Sequence, residues 1–251
     1  MVIEIVIGGI FGSIIASAIG CAAMRAGDGR SFFYGRSLCD GCQKILHPLA
    51  LIPILSFCFQ KGRARCCGVR LSRIYLLLEM VGAILGGYIG YEIWQGVSTW
   101  GVIRWILVIG FILWTIATDG HKMLVSLPVT LGFSVIMMIL PFEYGTIFNR
   151  LFMAGCFVIF FGVQYLFTKG KGIGTGDFAL GIALGTSLGF PLAIIAAMVG
   201  YVIGAFHAMY LLMIKKADRR TPLPLGVYLM LGLAITFMGS SFIFSWLGIV
   251  Q

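Results

Sequence analysis

Two of the nine acidic residues in this 251-residue chain have types and spacing that could support chemistry. Asp119 ends one apolar run and Asp177 begins another, with two further apolar runs between them. If each intervening run crosses a membrane, both acids lie on the same face. Two neighbouring carboxylates cannot both ionise, so one can act as a base toward water while the other donates a proton to a peptide carbonyl. The spacing therefore predicts metal-free aspartic-protease chemistry, with helix capping or pairing to Lys or Arg as the alternative role of each acid.

A glycine-rich segment leads into Asp177. It reads Gly172-Ile173-Gly174-Thr175-Gly176-Asp177. Glycine lets a backbone approach a ligand closely and adopt positive φ, so Gly174 and Gly176 are predicted to present Asp177 to a peptide substrate. No strand pattern precedes the segment, which excludes a dinucleotide-binding fingerprint. A flexible loop in which Asp177 caps the following helix is the competing interpretation.

The elements that must position these acids are transmembrane helices. Hydrophobic residue types make up 60% of the chain and charged types only 11%, against about 25% charged residues in soluble domains. This composition excludes a soluble, disordered, coiled-coil or disulfide-scaffold protein. Apolar runs of spanning length are predicted at 2–24, 74–94, 100–118, 124–142, 147–168 and 223–248, with 178–214 divided into a short and a full span near Gly189 and Pro191. We therefore predict an all-α polytopic membrane protein with about eight transmembrane helices, the first retained rather than cleaved as a signal peptide.

The basic residues predict the orientation of these helices. Lys and Arg number 18 against nine acids, a formal net charge of +9. With the N-terminus outside, all of them except Arg104 and Arg150 fall on the inner side, and basic loops stay in the cytoplasm. Both termini are thus predicted outside, with Asp119 and Asp177 at the cytoplasmic interface. Topology and contact with anionic membrane lipids explain the excess charge, so nucleic acid is not an expected partner.

The loop at 25–73 is the one candidate subdomain within a single membrane domain of residues 1–251. A segment of this length does not form a good hydrophobic core without a cross-link such as a disulfide or a bound metal ion. Five of its residues are cysteines; Cys58 is a small apolar filler, and the four candidate ligands are Cys39, Cys42, Cys66 and Cys67. Cys39-x-x-Cys42 is half of a four-thiolate zinc site, and a cytoplasmic loop disfavours a stable disulfide. A structural zinc ion held by the four cysteines is predicted, and a loop that has lost its metal is the alternative.

Short motifs along almost the whole chain carry a resemblance to a known family. They are Gly12-Ser13, Arg36-Ser37-Leu38-Cys39-Asp40-Gly41-Cys42, 51–56, Lys61-Gly62-Arg63, Leu71-Ser72, Tyr75, Glu79, Gly174-Thr175-Gly176-Asp177 and Pro224-Leu225-Gly226. In this order and spacing they resemble the type IV prepilin leader peptidases, the polytopic membrane aspartic peptidases of type IV pilus, type II secretion and competence systems.

The resemblance implies a multi-pass protein of the bacterial cell inner membrane that removes the short basic leader of prepilins or pseudopilins. Asp119 and Asp177 would be its catalytic acids, and proteolysis would need no cofactor. Many family members then N-methylate the new N-terminus with S-adenosylmethionine. Glu79 is a candidate contact for the substrate amine in that reaction, and pairing with Arg73 or with a neighbouring helix is its alternative role.

The chain departs from the family pattern at several positions. The family usually has Lys where Ala179 stands, Pro at Ser126 and acids at His121 and Ala50, and its second cysteine pair begins at the position of Ala64. These departures bear on rate, substrate positioning, methylation and metal binding, while both proposed catalytic acids are present. A catalytically weakened relative that serves as a membrane scaffold is one alternative function, and a small transporter is another.

Overall fold

The computed structural model describes residues 1–27, 38–39, 41–141, 146–170, 173–214 and 221–246. Within these residues the regular structure is helical, with two isolated β-bridges in the loop that follows the first helix. The helices are α1 Val2–Gly27, α2 Leu55–Phe59, α3 Arg73–Trp94, α4 Thr99–Lys122, α5 Leu127–Ile139, α6 Ile147–Thr168, α7 Thr175–Leu188, α8 Leu192–Met213, α9 Leu225–Met238 and α10 Ser240–Trp246, with a 3-10 turn at Pro48–Leu51. Arg36, Ser37, Asp40 and Gly172, which belong to the sequence motifs, lie outside the described residues.

Five helices, α1, α3, α4, α6 and α8, are long and apolar enough to cross a membrane. Helices α5 and α9 are apolar but shorter, and α7 has 14 residues. Large apolar side chains are exposed on the long helices, with Ile159 at 68% and Phe167 at 85%. A soluble protein rarely exposes such contiguous apolar surface, whereas lipid covers it. The prediction of an all-α polytopic membrane protein is confirmed.

Helix boundaries differ from the predicted spans where Gly and Pro interrupt the apolar runs. The run at 178–214 divides as predicted, between α7 and α8. The run at 124–142 contains only the 13-residue α5, because Pro128 lies in its first turn and Pro141 follows it. The run at 223–248 contains two helices, since Gly239 separates α9 from α10, and its last two residues lie outside the described part of the chain. Helix α4 continues to Lys122, which places Asp119 inside its last turn.

The first compact unit, Met1–Lys122, is built on a close pair of helices. Helices α1 and α3 pack through glycines: a Cβ added to Gly12 would overlap the carbonyl oxygen of Gly82, and one on Gly86 would lie 2.7 Å from Gly12 Cα. Small residues of this kind let membrane helices approach backbone to backbone. Helix α4 packs against both α1 and α3, and Asp119 is among its buried residues.

The second compact unit, Met123–Gln251, holds α7 against α5 and α6. Gly185 of α7 lies against the backbone of Ala154 in α6, where an added Cβ would be 2.5 Å from the Ala154 nitrogen. Asn149 of α6 fixes the connection that leaves α7. Its side-chain amide donates to the Phe190 carbonyl at 3.1 Å, and its oxygen accepts from the Phe190 N–H at 2.8 Å. These contacts position α7, whose first turn carries Asp177.

Candidate active site and metal centre

Asp119 is a buried carboxylate on a membrane-spanning helix. Its side chain is 5% exposed, and Ile116 and Ala117, which precede it on α4, are fully buried. His121, two residues further on, is exposed. An ionisable residue buried in a membrane protein is costly and usually has a functional or pairing role. Asp119 therefore has the surroundings expected of a functional acid.

Asp177 lies in the first turn of α7, where its side chain reaches back to the start of the helix. Its Oδ2 accepts a hydrogen bond from the Gly174 N–H at 2.8 Å, and its own N–H donates to the Gly174 carbonyl at 3.1 Å. The capping role that competed with catalysis in the sequence interpretation is thus present. One hydrogen bond at one carboxylate oxygen leaves further acceptor capacity on this group. Capping fixes the orientation of the carboxylate without occupying it fully.

The two glycines before Asp177 do not have the positive φ that the sequence interpretation expected. Gly174 is extended, with φ −85° and ψ 162°, and Gly176 is also outside the left-handed region. Gly176 is required for a different reason: a Cβ there would lie 2.7 Å from the Cβ of Val125. The absence of a side chain lets the first turn of α7 pack directly against the segment that precedes α5.

The surroundings of Asp177 include one polar residue that the sequence did not single out. The Tyr201 hydroxyl of α8 is buried and interacts electrostatically with Asp177. The signal for it was a phenol near the middle of a largely apolar membrane helix. The next residue, Phe178, has its ring edge-on to that of Tyr165, with the ring centroids 5.8 Å apart. Ala179, the position of the usual family Lys, is buried at 4% exposure.

Glu79 connects α3 to the cysteine-containing loop. Its side chain is 8% exposed, and its Oε2 accepts a hydrogen bond from the Ile54 N–H at 2.7 Å. The Ser17 side chain of α1 hydrogen-bonds to the same carboxylate. Ile54 has a φ of 62°, which is rare for a β-branched residue. Glu79 therefore holds the loop in a conformation that it would not adopt without a long-range contact.

Two adjoining cavities lie beside this contact. The smaller, of about 160 Å³, and the larger, of about 630 Å³, share the lining residues Leu46, Ala50 and Ser56. The smaller also contacts Arg25, Tyr75 and Glu79, and the larger contacts Phe59, Gln60 and Arg65. Small-molecule sites usually occupy about 300–1,000 Å³. Of these two cavities the larger lies in that range, and the smaller one lies between it and Glu79.

The four predicted cysteines come together in the loop. All four sulfurs lie within 4.8 Å of one another. Neighbouring Sγ atoms are 3.6 Å apart for Cys39 and Cys67, 3.3 Å for Cys42 and Cys66, and 3.9 Å for Cys66 and Cys67. Four Zn–S bonds of about 2.3 Å at tetrahedral angles place the sulfurs about 3.8 Å apart. The donor set and the spacing fit a four-thiolate zinc ion.

Two turns of the same geometry bring these cysteines together. In the first, the Cys39 N–H donates to the Lys44 carbonyl at 2.9 Å and the Cys39 carbonyl accepts from Gln43 at 2.9 Å. In the second, the Ala64 N–H donates to the Val69 carbonyl at 2.9 Å and the Ala64 carbonyl accepts from Gly68 at 2.7 Å. An antiparallel bridge closes each turn, and the residues with positive φ correspond. Cys42 and Cys67 are equivalent in this register, and Cys66 supplies the fourth sulfur from one position before Cys67.

Electrostatics within the cluster favour one thiolate among neighbouring thiols. The backbone N–H groups of Cys42 and Gly41 point at the Cys39 sulfur and lower the pKa of that thiol to about 7. Sulfur contacts with Cys39 and Cys42 raise the pKa of Cys66 to about 12. Backbone N–H groups directed at sulfur also stabilise a metal-bound thiolate. The backbone of the first turn therefore favours the Cys39 thiolate, which is the form that binds a cation.

Comparison with known proteins identifies relatives over most of the chain. Residues 10–93 match the bacterial peptidase A24 N-terminal domain, and residues 106–209 match the type IV leader peptidase family. A prepilin leader peptidase/N-methyltransferase of Bacillus subtilis (strain 168) is 30% identical over 241 residues, which cover 94% of this chain and 95% of the relative. Proteins of the same name are 29% identical in Aeromonas salmonicida (strain A449), over 84% of this chain and 74% of the relative, and 26% identical in Pseudomonas aeruginosa, over 77% and 68%. No solved structure matches the chain.

Proposed function

The chain belongs to the type IV leader peptidase family, and on that premise we propose that it is a membrane aspartic endopeptidase with Asp119 and Asp177 as its catalytic acids. The observation that carries the proposal is that the segment matching the family, 106–209, contains both residues. Asp119 is buried on α4, and Asp177 has a fixed orientation in the first turn of α7. Two carboxylates that share one proton can hydrolyse a peptide bond with a water molecule and without a metal.

The reaction uses the two acids in opposite protonation states. The ionised carboxylate removes a proton from water, which attacks the scissile carbonyl carbon. The protonated carboxyl donates to the carbonyl oxygen, which gives a neutral tetrahedral intermediate. Collapse of the intermediate breaks the C–N bond as a proton passes to the leaving amine. The two acids titrate as a pair, so neither role is assigned to one residue.

The substrate is a pilin-like precursor in which a short basic leader precedes an apolar helix. The apolar helix of the substrate lies in the bilayer. The scissile bond between the leader and this helix therefore lies at the membrane interface. The basic residues favour an orientation with both termini outside and the two acids on the cytoplasmic side of the inner membrane. Support for this substrate comes from the family and from the names of the relatives.

Single substitutions test the proteolytic function. Asp119→Asn and Asp177→Asn keep side-chain size and remove the titrating group, and each is expected to lower the rate of prepilin cleavage by about 10²- to 10⁴-fold or more. Glu92→Gln on α3 is the matched control and is expected to cleave at the parental rate. Cleavage at the parental rate by either Asn variant would contradict the proposal. A scaffold or transporter function predicts no cleavage by the parent chain.

A zinc ion bound by Cys39, Cys42, Cys66 and Cys67 would stabilise the loop rather than take part in peptide hydrolysis. Such an ion has four protein ligands and therefore no open position for water or substrate. It would join the two turns, which lie on either side of the Pro48–Leu51 turn and α2. The loop that contacts Glu79 would thus have its fold fixed at one end by metal and at the other by a hydrogen bond.

N-methylation of the new N-terminus is a second candidate function, favoured by the two adjoining cavities of the loop. S-adenosylmethionine would supply an electrophilic methyl group when bound. The larger cavity has the volume for a cofactor of this size, with Arg65 available for its carboxylate. Glu79 lines the smaller cavity, where its carboxylate would hold the substrate amine.

Mass analysis of the cleaved product tests methylation separately from proteolysis. With S-adenosylmethionine present, the parent chain is expected to yield product carrying one added methyl group. Arg65→Gln is expected to reduce methylation while cleavage continues. Unmethylated product from an actively cleaving parent chain would overturn the methylation proposal and leave the protease proposal standing.

A further inference from the structure

A third cavity in the loop is lined mainly by cations. It has a volume of about 410 Å³ and is formed by Phe57, Lys61, Gly62, Arg63, Arg70, Leu71 and Arg73. The four basic side chains are exposed, and the part of the chain that the structure describes contributes no acidic residue to the lining. We refer to Lys61, Arg63, Arg70 and Arg73 as the basic cleft. Its composition fits an anionic ligand.

Backbone pairing holds two of these cations together. Arg63 and Arg70 form an antiparallel β-bridge, and the Leu71 N–H donates to the Gly62 carbonyl at 2.9 Å beside it. Like charges placed opposite one another across a strand pair repel. The same bridge closes the second cysteine turn, so separating the two arginines would also disturb the proposed metal centre. An anion between them would relieve the repulsion without changing the backbone.

The end of a membrane helix adds to the positive potential of the cleft. Arg73 is the first residue of α3, so its charge lies at the positive end of the helix dipole, where anions are favoured and cations are not. Among the described residues, none of the four cations forms an ion pair with an acid. Because α3 is long and apolar enough to span the membrane, its first residue lies near the headgroup level.

We propose that the basic cleft binds the phosphate of an anionic membrane lipid headgroup. The depth of Arg73 favours a lipid over a soluble anion, since a headgroup phosphate is concentrated at that level. The bound headgroup would anchor the loop to the membrane surface. This proposal is independent of the proteolytic function, because none of the four cations belongs to the proposed catalytic or metal centre.

Lipid retention by the full chain tests the proposal. The chain is purified from membranes that contain phosphatidylglycerol, and the lipid molecules bound to it are counted by native mass spectrometry. R63Q/R70Q is expected to lower the affinity for phosphatidylglycerol by about tenfold or more. The control K44Q/K169Q removes the same number of charges outside the cleft and is expected to retain the lipid. Equal retention in the two variants would overturn the proposal.

A second variant and a competition experiment complete the test. If R63Q/R70Q melts below the parent chain, R73Q replaces it, because Arg73 lies outside the β-bridge, and the same loss of lipid is expected. Bound lipid is also challenged with short-chain phosphatidylglycerol, inorganic phosphate or an oligoglutamate peptide at equal concentration. Displacement by the short-chain lipid alone supports a headgroup site. Displacement by phosphate or by the peptide as effectively as by the lipid would overturn it.

Discussion

Ala64 occupies in the second cysteine turn the place that Cys39 occupies in the first. Both residues donate their N–H to a carbonyl five residues ahead, and both accept at their carbonyl from the N–H four residues ahead. Ala64 is buried at 2% exposure, so its methyl group fills the space of a missing ligand. Cys66 brings its sulfur within 3.3 Å of Cys42 and 3.9 Å of Cys67 instead. The second turn therefore has the backbone fold of the first, with its additional sulfur at position 66 and not at position 64.

This arrangement predicts that Cys66 is required for metal binding. The purified parent chain is expected to contain about one zinc ion, and Cys66→Ala is expected to contain much less because three thiolates bind the ion more weakly. Cys58→Ala removes an exposed cysteine outside the cluster and should keep the metal. Elemental analysis of the purified proteins measures the zinc content. Equal zinc in the Cys66 and Cys58 variants would contradict the assignment.

The equivalence of the two turns also predicts a rescue. In A64C/C66G, a cysteine enters the place of Ala64, and glycine stands at position 66, which corresponds to Gly41 in the first turn. A Cβ added at Gly41 would lie 2.8 Å from Val69 Cγ1 and 3.1 Å from the Cys67 sulfur, so glycine suits that place in the turn. The double variant is expected to regain the zinc that Cys66→Ala loses. Zinc content as low as in Cys66→Ala would show that the turns are not interchangeable.

Glu79 is expected to stabilise the loop through the Ile54 N–H. Glu79→Ala removes a charge-assisted hydrogen bond of 2.7 Å and should lower the free energy of unfolding by about 1.5–3 kcal/mol. Hydrogen exchange at Ile54 should accelerate, because its positive φ is then unsupported. Glu79→Gln keeps an acceptor oxygen and should show a smaller effect, and Glu92→Ala is the control on the same helix. Unchanged exchange at Ile54 in Glu79→Ala would contradict this role.

Local sequence signals predicted most of the fold, since each long helix is a mostly apolar run of spanning length. The division of 178–214 followed from Gly189 and Pro191 in the sequence. The break at Gly239 did not follow, because an isolated glycine in an apolar run is common in membrane helices.

At the candidate site, features that depend on residue type could be predicted from the sequence. Features that depend on contacts between distant residues could not. The four cysteines could be grouped because zinc ligands have recognisable types and spacing. The Glu79–Ile54 contact and the proximity of Tyr201 to Asp177 depend on which helices pack together, and no local pattern records them. The expectation that Gly174 and Gly176 adopt positive φ was wrong. Glycine is required at position 176 because it packs against Val125.

A single methyl group added between α1 and α3 is expected to lower the stability of the protein. A Cβ on Gly86 would overlap the Gly8 carbonyl and lie 2.7 Å from Gly12 Cα, and overpacking of this kind costs about 1–3 kcal/mol. Gly86→Ala should therefore melt at a lower temperature than the parent in detergent. Gly110→Ala on α4 is the control, because nothing lies within 4 Å of its added Cβ. Equal melting temperatures for the two variants would contradict close packing at Gly86.

Asn149 is expected to control the connection between α7 and α8. Asn149→Ala removes two hydrogen bonds to the Phe190 backbone, at about 0.5–1.5 kcal/mol each. Asn149→Asp keeps the acceptor and loses the donor, so its melting temperature should fall between those of the parent and Asn149→Ala. Thermal unfolding of the three proteins measures this order. An aspartate variant less stable than the alanine variant would show that the bond to the Phe190 N–H is not the important one.

The rate of the D119N/D177N double variant tests most directly whether the two acids act as one catalytic pair. Two groups that share one reaction are not additive, so removing the second adds little once the first is gone. The double variant should cleave a prepilin at the rate of the slower single variant, with both singles at least about 10²-fold below the parent. A single variant with parental activity, or a double variant slowed by the product of the two single effects, would contradict the account.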